Sequence, residues 1–118
     1  MSWNLDSDRP IFVQIIEHME LDIVSGVLSP GAKVPSVRDL ASEAAVNPNT
    51  MQRALSEMER RGLMRTERTS GRFVTEDEAA IEALKKRIAS DGVSSFLTQM
   101  KKLGLGKDKI LDLINENY

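Results

Sequence analysis

Residues 36–62 read SVRDLASEAAVNPNTMQRALSEMERRG, and the spacing of polar and apolar side chains within them decides the fold. Ser36 is a good helix N-cap, and Asp39 stands three positions on, where a capping box carries an acidic or amide side chain. Val37, Leu40, Ala41 and Ala44 then recur on one helical face, which predicts a short helix stopping near Ala45-Val46. Asn47 caps a second helix at once, with Pro48 at the first helical position, where a missing N–H costs nothing. That helix runs to about Arg61 and ends at Gly62, turning Met51, Ala54, Leu55 and Met58 inward. Two short helices joined by so tight a turn are the outline of a helix-turn-helix.

The flanks extend this outline. Upstream, residues 8–26 read as a helix, with Asp8 or Arg9 at the cap, Pro10 in the first turn and Gly26 as the stop. Its apolar stripe is Phe12, Ile15, Ile16, Met19 and Ile23. Residues 27–35 hold two prolines and a glycine, which predicts a loop with room for one short extended piece around Leu28. Downstream of Gly62, two β-prone pieces, 63–66 and 72–75, flank the turn cluster Thr69-Ser70-Gly71. A hairpin directly after a helix-turn-helix is a wing. From Glu76 to Leu103 the residues Ile81, Leu84, Ile88, Phe96, Met100 and Leu103 follow a helical stripe, and Asp91-Gly92 leaves open whether that helix is broken. A last helix over 107–117 carries Ile110, Leu111, Leu113 and Ile114. The expected fold is mainly α with a small β element (α+β): a winged helix-turn-helix over 1–75 and a two-helix segment over 76–118.

Composition excludes much else. Of 118 residues, 41% are apolar and 29% charged, which fits a globular chain. No apolar run is long enough for a membrane helix, and the N-terminus lacks a signal-peptide pattern, so the expected location is the cytoplasm. The chain has no cysteine and one histidine, which argues against thiolate or histidine metal sites and Ser/His catalysis, and no cofactor is expected. Glu57 and Glu59, two apart on a helix, point away from each other and make a poor acid/base pair. His18 reads as a surface or helix-packing residue rather than a ligand, and Trp3 as packing on the domain or its partner rather than stacking on a base.

The net charge is −2, yet residues 35–75 carry seven arginines against five acids. On the helix that starts at Asn47, the outward row is Asn49, Gln52, Arg53, Ser56 and Arg60. Amides of this kind bond adenine and guanidinium groups bond guanine, while the free amides beside Thr50 suit a phosphate. Arg38 lies near the turn, and Arg68 and Arg72 flank the wing tip beside Gly71. The same row also fits a merely solvated helix face, and Ser36 and Asn47 are caps first. It is the order of helix-turn-helix, polar face and arginine-flanked hairpin that points to double-stranded DNA. The alternative is a winged-helix module that binds protein without DNA.

The stretch from Gly26 to Ala41, with its Leu28, Pro30-Gly31, Pro35-Ser36, Arg38 and Leu40-Ala41, closely resembles the signature of the GntR family, with Val34 where leucine is usual. The likeness continues through 46–55 and 59–63, and the form of residues 47–54 with the short two-helix tail resembles the YtrA subfamily. It covers residues 10–75 by motif and 76–118 by length and pattern. The resemblance implies a homodimer on inverted-repeat operators, generally a repressor, often of operons for ATP-driven transporters. It implies DNA contacts from Arg38, from Asn47, Pro48, Asn49 and Thr50 at the helix start, from Gln52, where many branches have arginine, and from the wing residue Gly71. Ser36, Arg53, Arg68 and Arg72 complete the expected interface. The expected dimer face is Ile81, Leu84, Ile88, Phe96, Met100, Leu103, Ile110, Leu113 and Ile114, because two apolar helix faces need a symmetric partner to cover them. The tail is too short for the metabolite-sensing domain of larger relatives, and no residue singles out an effector.

Overall fold

Two side-chain caps and one left-handed residue shape the centre of the molecule. In the computed structural model, which describes residues 3–118, Ser36 Oγ accepts the Asp39 amide at 3.1 Å and Asn47 Oδ1 accepts the Asn49 amide at 2.7 Å. They open helices α2 (Val37–Ala44) and α3 (Pro48–Arg60). Between them Ala45 adopts φ 57°, ψ 47°, the only non-glycine among the described residues with positive φ. Left-handed backbone costs an L-residue roughly 1–2 kcal/mol. Here it reverses the chain fast enough for the Val46 amide to bond Ala41 O at 3.0 Å and for α3 to start two residues later.

Helix α1 (Ile11–Val24) begins later than its sequence suggests: Pro10 occupies the cap position and has no side-chain cap bond. Pro10 disfavours helical backbone at Arg9, which rules out a cap at Asp8, and Pro10 itself stays extended at φ −56°, ψ 129°, so the first helical residue is Ile11 rather than Pro10. Gln14 ties down the preceding segment instead. Its buried amide accepts from Asp6 N–H at 2.6 Å and donates to the carbonyls of Asp6 and Arg9 at 2.7 and 3.0 Å. Behind it, Ile15, Met19 and Ile23 of α1 join Leu40, Ala41 and Ala44 of α2 and Met51, Ala54, Leu55 and Met58 of α3 in the core.

The wing is an antiparallel pair, β1 (Met64–Glu67) and β2 (Gly71–Val74), with Met64 opposite Val74 and Thr66 opposite Arg72. Met64 and Val74 are buried, anchoring the base of the hairpin. The extended piece expected around Leu28 lies at Lys33, which bridges to Phe73. The Val34 amide bonds Arg72 O at 2.8 Å and the Val74 amide bonds Ala32 O at 2.9 Å. Leu28 instead gives its amide to Asp22 O in the turn that ends α1.

The chain divides into two units, Met1–Leu84 and Lys85–Tyr118. This division falls beyond the expected 75/76 boundary, and Leu84, at 7% exposure, belongs to the first unit. Helix α4 (Glu78–Lys102) is unbroken through Asp91-Gly92. In the second unit Gly104, at φ 79°, turns the chain and Gly106 opens α5 (Lys107–Asn117). Ile110 is buried there, whereas Val93, Phe96, Leu103, Leu111 and Ile114 are exposed. Among the described residues no helix is long and apolar enough to cross a membrane.

Gly92 sits inside α4, and apart from its chain neighbours and the helix's own backbone nothing lies within 4 Å of the position a Cβ would take. Gly92→Ala should therefore stabilise the protein by about 0.5–1 kcal/mol in equilibrium denaturation. A loss of stability would show that the helix bends at this residue.

Candidate nucleic-acid interface

The core side of α3 dictates what its other side offers. Met51, Ala54, Leu55 and Met58 are all 0% exposed, which turns Asn49, Gln52, Arg53 and Ser56 out to solvent. Gln52 Nε2 donates to Ser56 Oγ at 3.1 Å, so the amide lies along the helix surface in the free protein. At the helix start Asn47 and Pro48 are exposed and Thr50 is half-buried. The Asn47 carbonyl oxygen is occupied by its cap bond. Ser36 and Arg38 are exposed at the start of α2, and Ser36 likewise spends its oxygen on a cap.

Carboxylates sort the arginines of this region into two sets. Glu57 accepts from Arg60 Nε at 2.7 Å and from Arg61 Nε at 2.8 Å, and Arg61 also reaches the buried Glu20 at 3.2 Å. Arg65 bonds Glu67 at 3.1 Å, and Arg72 bonds Glu59 at 3.2 Å. Arg38, Arg53 and Arg68 have no carboxylate partner among the described residues. They present uncompensated charge at α2, at α3 and at the wing tip. Arg60, expected in the outward row, does face outward, and Glu57 pairs with its guanidinium along the helix.

Arg72 differs from its expected place at the wing tip. It is half-buried and faces α3, where Glu59 takes both its guanidinium and the Thr66 hydroxyl. Side chains alternate along a strand, so Arg72 shares the inward face of Val74, a signal that the alternation carries. The sequence reading missed Lys33. It is exposed and has no carboxylate partner among the described residues, and its Cε lies 3.0 Å from where a Cβ on Gly71 would sit. Gly71 itself adopts φ 115°, a backbone that side chains rarely tolerate. Lys33, Ser36, Thr66, Gly71 and Arg72 together line a groove between the wing and the start of α2. Nothing in the sequence marks Lys33, because its strand is a single bridge.

Two further residues are accounted for by packing. The Trp3 and His18 rings stack at 3.7 Å with 12° between planes, and His18 Nε2 lies 3.3 Å from Asp22 Oδ2, outside hydrogen-bond alignment. Glu57 and Glu59 are committed to arginines rather than to each other.

A helix-turn-helix with its wing, an exposed polar row on the second helix and unpaired arginines around it define a DNA-binding transcription regulator. The family model for bacterial regulatory proteins of the gntR family matches residues 12–74, and the chain belongs to that family. It is 40% identical to the uncharacterized HTH-type transcriptional regulator YhcF of Bacillus subtilis over 95% of this chain and 93% of that one. It is 32% identical to the HTH-type transcriptional repressor YtrA of the same organism, over 93% and 85%. A solved GntR family transcriptional regulator from Listeria monocytogenes is 38% identical and superposes with a TM-score of 0.89, covering 95% of this chain and 98% of that one. These relatives are regulators, not enzymes.

Arg60 first and Arg61 second hold the Glu57 carboxyl down to about 2, from an ordinary 4.5. A depressed carboxyl stabilises the fold above its unfolded value, and that contribution disappears as pH falls through the folded one. Glu57→Gln should therefore lower stability at neutral pH, and the two melting curves should converge as the pH approaches 2. A difference that stays constant with pH would show that the ion pairs contribute nothing.

Proposed function

We propose that this regulator is a homodimer that binds inverted-repeat operators sequence-specifically and represses, including at the transporter operons that the family resemblance implies. It works in the cytoplasm on double-stranded DNA. The observation that carries this reading is the exposed Asn49, Gln52 and Arg53 row of α3, backed by a fully buried stripe that prevents the helix from rolling. Asn49 and Gln52 read base edges in the major groove, with Pro48 and Thr50 packing at the helix start. Arg38, Arg68 and Lys33 engage phosphates on either side, and Gly71 lets the wing backbone approach the neighbouring groove. Ser36 and Asn47 contribute through the helix starts they cap, and Arg72 by fixing the wing.

Dimerisation rests on the second unit. Phe96, Leu103 and Ile114 are 37%, 70% and 40% exposed, too much large apolar surface for a segment this small to leave in water. Ile88, Met100 and Leu113 are half-buried beside them, and Ile81 is half-buried in the first unit. Leu84 and Ile110 are already buried within the chain and supply support rather than contact. Two-fold symmetry then sets half-sites about one helical turn apart, or a multiple of it.

Arg38→Ala should weaken binding to operator and random DNA alike and reduce the salt slope by about one. Asn49→Ala should instead relax specificity at one base position, at roughly 1–3 kcal/mol. Equal losses on both kinds of DNA for both variants would refute this division of roles. Phe96→Asp with Ile114→Asp should give a monomer in sedimentation equilibrium whose operator affinity falls well below the parent's. A dimer of unchanged affinity would overturn the assignment, and a folded parent that shifts no DNA at low salt would favour a protein-binding module.

A further inference from the structure

Arg53 stands in the outward row of α3, and its guanidinium carbon lies 4.8 Å from the centroid of the Phe12 ring on α1. Among the three arginines that no carboxylate claims, it alone has an aromatic partner. The difference in chemistry matters. A carboxylate would neutralise the charge and occupy the N–H donors on one edge of the guanidinium, as Glu57 does to Arg60. An aromatic face attracts the cation through its quadrupole and uses none of those donors. Arg53 makes no hydrogen bond among the described residues, so every donor remains available.

We propose that Phe12 is a positioning residue for DNA recognition: its ring steadies the Arg53 guanidinium beside Asn49 and Gln52 while leaving its donors free for a base edge or phosphate. Arginine is rich in rotamers, and ordering it only at the moment of binding weakens the complex. Phe12 does much of that ordering beforehand. The half-buried ring thus has the Arg53 guanidinium over its face. This inference rests on the DNA-binding reading and adds α1 to the elements that set the recognition surface.

A core role alone predicts that a smaller side chain at 12 lowers the melting temperature whatever stands at 53. A positioning role predicts coupling between the two positions in DNA affinity. The test uses the full chain and the duplex that the wild-type protein enriches from a randomised pool, at a temperature where circular dichroism shows every variant folded. Phe12→Leu should weaken binding by about two- to five-fold, the size of an exposed cation–π contact. Phe12→Tyr, which keeps the ring, should restore it. In the Arg53→Ala background Phe12→Leu should cost nothing further. A Phe12→Leu loss that persists undiminished in that background would overturn the proposal, as would an Arg53→Ala variant that binds like wild type. A wild-type protein that enriches no duplex would sink the DNA-binding reading itself. That outcome is distinct from one in which the protein binds and the two positions prove independent.

Discussion

The burial of one stripe of α3 fixes which way that helix faces, and the rest of the exposed surface depends on it. Met51, Ala54, Leu55 and Met58 lie within the core formed with α1 and α2, none with measurable exposure. Each large side chain in such a stripe contributes roughly 1.5–3 kcal/mol by leaving water. Rotating α3 by a single position would expose several of them at once and bury Gln52 or Arg53 without partners. For a domain whose whole margin is about 5–15 kcal/mol, that alternative is not populated. The direction of every outward side chain on α3 therefore follows from hydrophobic burial, before any charge is considered.

Charge then refines the surface that burial exposes. With a net charge of −2, the chain would be a poor ligand for a polyanion if its arginines and carboxylates were evenly mixed. They are not. Glu57 and Glu59 sit in the last turns of α3 and absorb Arg60, Arg61 and Arg72. Arg38, Arg53, Arg68 and Lys33 are left around the first turns of α2 and α3 and along the wing. The acids late in α3 thus leave the unpaired cations towards the starts of α2 and α3, although Asp39 stands in the first turn of α2.

Most of this plan was legible in residues 26–75, because it is written in short-range signals. Caps such as Ser36 and Asn47, the helical spacing of the core stripe and the turn cluster before Gly71 act within a few residues of themselves. What was hidden depends on partners distant in sequence. Lys33 is extended because β2 accepts it as a neighbour, and the partner that Arg72 meets on its inward face, Glu59, lies thirteen positions earlier. The clamp by Gln14 replaces a conventional cap through contacts with Asp6 and Arg9, which a cap search does not examine. Asp91-Gly92 left open whether the helix breaks; glycine inside a helix costs only about 1 kcal/mol, which the rest of a 25-residue helix outweighs.

The contact between Glu59 and the wing also bears on how sequence could be read by two elements at once. A hairpin joined to α3 only through Gly62 would swing independently of that helix. Here the Glu59 carboxylate takes both the Thr66 hydroxyl of β1 and the Arg72 guanidinium of β2. Met64 and Val74 pin the same hairpin base into the core. The base of the wing is therefore fixed to α3, while Arg65 to Gly71, the tip included, stay exposed. The anchored base thus ties the position of the exposed wing tip to that of α3.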